Sequence, residues 1–294
     1  MDVRPNLLNE VIGQQQVKEQ LRISIEACKI NNAIMPHVLF TGFAGCGKTT
    51  LAQAIANELN CPIEVINGSS IRSLKNLIPC LARIKRGSIL FCDEIHKTPE
   101  LVQTYLLTVL EQFKYTLGSQ QDSITLSLQE FTFIGATTNT GALLAPLINR
   151  FTYFYKLSTY SEADLAQIIS VAAPKMGMDI AGDLAIIIAK TCRGTPRTAI
   201  NRLRWIKDFV TARNVIPSKS IILEALKTAQ IGLNGLEEDD KTYLRKLGLL
   251  QPAGINTLAS ATNIDKETIE KNIEPFLIQQ GLIKKTPRGR VLTL

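Results

Sequence analysis

The chain has 294 residues, 45% of them hydrophobic and 20% charged, which allows two or three domains with their own cores and excludes a disordered or fibrous protein. It shows no signal peptide, and no apolar run approaches the roughly 18 residues that span a bilayer, so a cytoplasmic protein without a membrane partner is expected. A net charge of +7 and a pI of about 9.1 lean toward a polyanionic partner.

In chain order, the first half alternates apolar β-type runs with helical patterns. HVLF (37–40) predicts a strand before a glycine-rich loop, and TTLAQAIANEL the helix after it. IEVI (63–66) follows, then a helix from about Ser70, the strand SILFCDE (88–94) and a helix over roughly 99–113. A hairpin-like pair, KYTLG and SITLSL, leads into the strand FTFIGATT (131–138). Strands alternating with helices predict βαβ units and a parallel sheet covered on both faces. From Ser161 the pattern turns helical: SEADLAQIISVAA opens with Ser161 and carries Asp164 three positions on, and TPRTAINRLRW has Thr195 as N-cap and Pro196 at the first helical position. IGLNGLEEDD (231–240) reads as a linker, and the remainder as two helices of helix-turn-helix spacing followed by two strands around TPRGR. The expected fold class is α/β: a P-loop parallel-sheet domain over 1–158, an all-helical lid over 159–233 and a winged helix over 234–294.

Charge distribution adds to the total. Residues 181–235 hold nine Lys/Arg against three acids, and Lys284, Lys285, Arg288 and Arg290 fall within seven residues that contain no acid. Six scattered cysteines without a CxxC pair, and two histidines, give no zinc-ligand spacing, so the thiols read as small apolar residues. Cys46 stands where a helix N-terminus lowers thiol pKa values, but no function is built on it.

GFAGCGKT (42–49) fits the phosphate-loop pattern, after a strand and before a helix as its mechanism requires. Gly42, Gly45 and Gly47 let backbone N–H groups face phosphate, Lys48 reaches the β/γ-phosphates, and the Thr49 hydroxyl ligates Mg²⁺. ILFCDEIH (89–96) has two readings: the DExH box of a helicase, or a buried strand delivering Asp93 to Mg²⁺ and Glu94 to the attacking water. The first needs a second ATPase lobe downstream. The helical remainder leaves no room for one, so the ring-ATPase reading stands and His96 is a loop or structural residue. Thr138 ends the FTFIGATT strand, where its hydroxyl reaches the γ-phosphate or the attacking water. Arg150 in APLINRF is placed to act as an arginine finger on a neighbouring subunit, a contribution of roughly 10³ to 10⁵ in rate. Arg197 in RGTPR starts a lid helix and contacts phosphate from above.

The order RP…IGQ, GKTT, DEIH, IGATT, PLINRF, RGTPR, IEPFLIQQG and TPRGR resembles the RuvB family of AAA+ motors, which drive branch migration of Holliday junctions in recombination and repair. The resemblance runs nearly end to end. It implies a homohexameric ring on duplex DNA and four-way junctions, with ATP or ADP and Mg²⁺ between subunits. Nucleotide would lie on Gly42, Gly45, Cys46, Gly47, Lys48, Thr49 and Thr50, with adenine against Val11 and Ile12 beside Tyr160, and with Pro196 and Arg197 over it. Arg288 and Arg290 would touch DNA, and the hairpin at about 114–128 would dock a RuvA-like junction-recognition protein. Phe43, Ala44 and Ile148 replace two prolines and an arginine common in the family, and the hairpin is more polar than is usual there. The first shared motif stands almost at the N-terminus, so any leader is expected to be lost. Two other readings remain at this point: a clamp-loader-like AAA+ remodeller, and a DNA-binding recruitment module with little ATP turnover.

Overall fold

The computed structural model describes residues 3–117, 124–180 and 182–293. The chain divides into two compact units, Met1–Asp164 with Thr195–Arg197, and Leu165–Gly194 with Thr198–Leu294.

The first unit is built on a five-stranded parallel sheet. In chain order its strands are β1 (Val38–Thr41), β2 (Ile63–Asn67), β3 (Ile89–Asp93), β6 (Thr132–Thr137) and β7 (Tyr153–Lys156), in the spatial order β2-β3-β6-β1-β7. The inner strands β1 and β6 are buried at every position and β3 at all but its last, as continuous apolar runs in a sheet covered on both faces should be. Helices α1 (Gln15–Ile30), α2 (Lys48–Glu58), α3 (Leu74–Ala82), α4 (Glu100–Gln112) and α5 (Ala145–Ile148) join and cover them. Leu39, Phe40, Leu51, Ile55, Phe91 and Phe133 are almost wholly enclosed. The register sets Thr41 beside Thr137 and Asn67 beside Asp93, so the carboxyl ends of the strands form one edge. In open α/β sheets that edge receives ligands.

Helix α3 starts at Leu74, not near Ser70. The Asn67 side chain accepts the Ser69 N–H at 2.9 Å and folds Gly68–Ser70 into a separate 3₁₀ turn, a local bond that competes with helix initiation. The hairpin is present as β4 (Lys114–Leu117) paired antiparallel with β5 (Ile124–Ser127). Its turn, where the expected partner-docking tip falls, lies outside the described residues.

The second unit carries most of α6 (Glu162–Lys175), then α7 (Gly182–Lys190), α8 (Pro196–Arg213) and α9 (Lys219–Thr228). Ser161 caps α6: its hydroxyl accepts the Asp164 N–H at 3.0 Å and donates to the Asp164 carboxylate at 2.8 Å. After a tight turn at Gly232–Leu236, α10 (Glu238–Leu250) opens with a capping box between Glu237 and Asp240. Helix α11 (Ile255–Thr262) follows, then α12 (Lys266–Thr268), a π turn over Ile269–Ile273, and α13 (Glu274–Gln279). The unit closes with β8 (Ile283–Thr286) and β9 (Gly289–Leu292), paired antiparallel. Tyr243, Leu247, Leu258, Ile269, Leu277 and Ile283 form the core of this part. No helix among the described residues is long and apolar enough to cross a membrane. All six cysteines are free.

Candidate nucleotide site and nucleic-acid interface

The phosphate loop leaves β1 through three glycines with positive φ: +138° at Gly42, +81° at Gly45 and +95° at Gly47, the N-cap of α2. Gly42 is required by space as well, because a Cβ there would stand 2.5 Å from the Leu157 carbonyl oxygen. Lys48 is buried, and its ammonium donates to the Gly42 and Phe43 carbonyls at 2.8 Å each. Burial lowers its pKa, while the neighbouring Asp93 and Glu94 carboxylates act in the opposite sense. An ammonium so desolvated gains strongly from any phosphate brought to it.

Thr49 at the start of α2 and Asp93 at the end of β3 meet, with the Thr49 hydroxyl donating to Asp93 Oδ2 at 3.2 Å. These are hard oxygen donors of the kind Mg²⁺ takes, and two of them suffice because Mg²⁺ keeps several waters and completes its shell with substrate phosphates. Among the described residues no cluster of three or more His, Cys, Asp or Glu could hold a metal unaided. Asp93 Oδ1 accepts the Glu94 N–H at 2.9 Å, and Glu94 itself lies at φ +51°. Its carboxylate pairs with Lys97 at 2.7 Å. His96 belongs to the 3₁₀ turn that follows and faces the buried Thr137 hydroxyl at 3.0 Å, tying the ends of β3 and β6 together. Thr138, the expected phosphate sensor, follows β6 and is exposed.

Thr195 and Arg197 of RGTPR lie against the phosphate loop. The Arg197 N–H donates to the Gly45 carbonyl at 3.4 Å, and a Cβ on Gly45 would come within 2.9 Å of Arg197 Cβ. Pro196 takes the first position of α8. Tyr160 bridges the phosphate loop and the VIGQ segment. Its hydroxyl donates to the Cys46 carbonyl at 3.4 Å, and its ring passes so close to Gly13 that a Cβ there would meet it at 2.8 Å. Burial pushes the Tyr160 hydroxyl up to about 12, so it stays a neutral donor. Val11 is buried beside the half-buried Ile12, and its carbonyl accepts from the buried Lys18 ammonium at 2.5 Å. Lys18 carries no motif signal that would have singled it out. Of the expected adenine contacts, Tyr160 thus stands beside Cys46, Gly47 and Gly13, the last of these next in sequence to Val11 and Ile12. Cys46 is fully buried, and burial raises its thiol pKa against the opposing charges of Lys48 and Arg197. Thr50 is half-buried in the first turn of α2.

Arg150 stands apart from this cluster. Its guanidinium pairs with Glu111 on α4 at 2.8 Å and remains 37% exposed. Its partner, 39 positions upstream, was not foreseeable from local pattern.

At the other end of the chain the two expected DNA-contact arginines of the wing stand in different surroundings. Arg288 sits exposed in the turn between β8 and β9, as does Lys284 on β8. Arg290, expected on DNA with Arg288, points inward: its Nε donates to Glu274 Oε1 at 2.7 Å and its side chain is only 15% exposed. Glu274 is fully buried and also holds Lys285 at 2.6 Å and the Tyr243 hydroxyl at 2.9 Å. The cause is pairing geometry: Arg290 bridges to Ala253 and faces Lys285 across the hairpin, which sets it over α13. Gly289 allows that approach, since a Cβ there would be 2.6 Å from the Ala253 oxygen.

Residues 3–157 match the family described as the Holliday junction DNA helicase RuvB P-loop domain, 160–232 the RuvB AAA lid domain, and 233–294 the RuvB C-terminal winged helix domain. Among curated relatives, the Holliday junction branch migration complex subunit RuvB of Rhodopirellula baltica is 36% identical over 99% of this chain and 82% of its own length. That of Fervidobacterium nodosum is 38% identical over 99% of this chain and 86% of its own. The solved Thermotoga maritima RuvB Holliday junction branch migration motor superposes with a TM-score of 0.89 at 36% identity, covering 99% of this chain and 95% of that one. With a phosphate loop, an Asp-Glu strand end, a helical lid and a winged helix in one order, and with relatives alike over nearly its whole length, the chain belongs to the RuvB family of Holliday-junction branch-migration motors.

Proposed function

We propose that the chain is an Mg²⁺-dependent ATPase that assembles into a hexameric ring and pumps duplex DNA through branch migration of four-way junctions, in the cytoplasm, during recombination and repair. The domains that do this are taken as 1–158, 159–233 and 234–294. The observation that carries the reading is the gathering of Lys48, the Thr49–Asp93 pair, Glu94 and Arg197 around one phosphate loop, while Arg150 lies elsewhere on the same unit. Such a site binds nucleotide alone and is completed by a neighbour.

In this mechanism the Lys48 ammonium leaves the Gly42 and Phe43 carbonyls for the β/γ-phosphates, and the loop N–H groups and α2 dipole carry the remaining charge. Thr49 and Asp93 would hold Mg²⁺, which neutralises charge developing on the phosphates. Glu94 turns from Lys97 to orient the attacking water, with Thr138 beside it, and Arg197 and the neighbour's Arg150 stabilise the transition state. Arg288 and Lys284 are the proposed phosphate contacts on DNA, with Arg290 and Lys285 positioning the wing. A RuvA-like protein is the proposed partner of the hairpin formed by β4 and β5.

The test is ATP-dependent dissociation of a synthetic four-way junction at high protein concentration, with and without the RuvA-like partner. Dissociation that disappears in Lys48→Ala is expected. Assembled rings that bind ATP tightly yet leave the junction intact in both conditions would overturn the reading in favour of a recruitment role.

A further inference from the structure

We propose that Arg193 is a positioning residue that locks the helical lid to the winged helix, so that motion imposed on RGTPR by nucleotide reaches the DNA-binding wing as one rigid displacement. The proposal rests on the motor reading above, and concerns how that motor is coupled.

Arg193 follows α7 in a left-handed conformation, φ +54°, and Gly194 after it is at φ +70°. Only Gly194, Thr195 and Pro196 separate it from Arg197, whose N–H lies on the phosphate loop. The reversal turns the Arg193 side chain toward the winged helix. Its guanidinium pairs with Asp240 of α10 at 2.5 Å and lies 4.2 Å from the centroid of the Phe276 ring on α13. Asp240 is buried, at 1% exposure, and Arg193 is half-buried, at 16%. The linker closes over the pair: a Cβ on Gly235 would touch the Phe276 ring and the Thr191 carbonyl at 3.3 Å and the Arg193 stem at 3.5 Å. A second arginine of the lid, Arg202 on α8, pairs with Glu237, the other half of the capping box to which Asp240 belongs.

Two lid arginines therefore hold both members of one helix cap, and one of them also covers an aromatic ring of α13. A flexible tether between domains would show the opposite: exposed, unpaired charge and an open linker. Buried ion pairs of this kind are poor sources of net stability, since apolar residues of similar volume serve as well. Their geometric demands instead fix one orientation, which a lever needs.

The test compares Arg193→Gln, Arg193→Lys, Asp240→Asn and Phe276→Leu with the wild type, reading ATPase rate, junction affinity, and ATP hydrolysed per junction dissociated. Asp240→Asn is the informative variant where Arg193→Gln folds poorly, because Asn can still accept the Glu237 N–H that Asp240 now accepts at 2.7 Å. The expected result is near-normal ATPase and DNA affinity, with ATP consumed per event rising about ten-fold in Arg193→Gln and Asp240→Asn, the scale on which residues along a coupling path act. Arg193→Lys, which keeps the charge, should recover part of the coupling. A purely stabilising residue would lower all activities together and leave the ratio unchanged, and that result overturns the proposal. A second readout needs no motor activity: limited proteolysis within 232–236 should be slow in the wild type and at least several-fold faster in Arg193→Gln. Equal protection in both removes the lock even if junctions are dissociated. Failure of the wild type on junctions, with the protection difference intact, would sink the motor reading and its coupling while leaving the lock.

Discussion

Glu94 illustrates what a single residue is asked to carry. A non-glycine residue at φ +51° costs on the order of 1–3 kcal/mol, and here the cost is held by neighbours on both sides. Asp93 Oδ1 fixes the Glu94 N–H, and Gly68 lets the Glu94 carbonyl pass where any Cβ would lie 2.3 Å away. The two carboxylates at this strand end have different partners: that of Glu94 pairs with Lys97, while that of Asp93 meets the Thr49 hydroxyl and the Glu94 N–H. The pairing with Lys97 is half-exposed, an interaction of about 0–1 kcal/mol that yields readily when water and phosphate arrive. Glu94→Gln keeps the side-chain shape and the kink but removes the base. Nucleotide affinity should stay within a small factor of wild type, while single-turnover hydrolysis falls by about 10²- to 10⁴-fold, the usual contribution of a positioned general base. Hydrolysis at the wild-type rate would reassign the water-activating role.

At the scale of the element, the wing separates two arginines that sequence sets side by side. Arg288 is exposed in the turn and Arg290 is engaged with buried Glu274, so their removal should have different consequences. Arg288→Ala, or Lys284→Ala, should weaken binding to all duplexes alike and lower the salt slope by about 0.9 per lost phosphate contact, with thermal stability unchanged. Arg290→Ala leaves a buried carboxylate short of a partner and should cost the winged helix about 3–5 kcal/mol. Burial acts to raise the pKa of Glu274, but hydrogen bonds from Arg290, Lys285 and Tyr243 outweigh it and hold the carboxyl below its ordinary value. A folded-state pKa below the unfolded one means that this stabilisation is complete above the ordinary glutamate range and is lost as pH falls through the depressed value. Acid unfolding followed at the C-terminal unit should therefore steepen below about pH 4, near the unperturbed glutamate value, and Glu274→Gln should flatten it. An unchanged profile would remove Glu274 from that role.

The same element shows which features sequence can carry. The phosphate loop is legible because strand, glycines and helix are contiguous and each responds to a local demand of φ or charge. Asp93 and Glu94 are legible because an apolar run ends in acid. The inward turn of Arg290 depends on a bridge to Ala253 and on a carboxylate 16 positions away, and the ion pair of Arg150 on one 39 positions away. No local pattern encodes such distances. The helix start misjudged at Ser70 failed for a smaller reason, an asparagine side chain that closes a turn three residues before α3 can begin.

At the scale of the whole molecule, the role proposed for Arg150 would make hydrolysis a property of a pair of subunits. In the single subunit its guanidinium rests on Glu111, and both side chains are too exposed for that pair to hold it strongly. A contact in which one copy gives a phosphate loop and the next gives an arginine is heterologous, and heterologous contacts form a ring where the rotation between neighbours closes. ATPase activity per subunit should therefore rise with protein concentration, and Arg150→Ala should abolish the rise, a loss of roughly 10³ to 10⁵ in rate, while nucleotide binding persists. Mixing decides whether the arginine acts across the interface. Lys48→Ala subunits have a dead phosphate loop and an intact arginine, and Arg150→Ala subunits have the reverse. Each is inactive alone. In an equal, random mixture, one interface in about four joins an intact loop to an intact arginine, so about a quarter of wild-type ATPase should return if interfaces act independently. Recovery of that order places Arg150 at its neighbour's phosphate. A mixture as inactive as its parts, with mixed rings demonstrated, would return the arginine to its own subunit and leave the neighbour without a catalytic role.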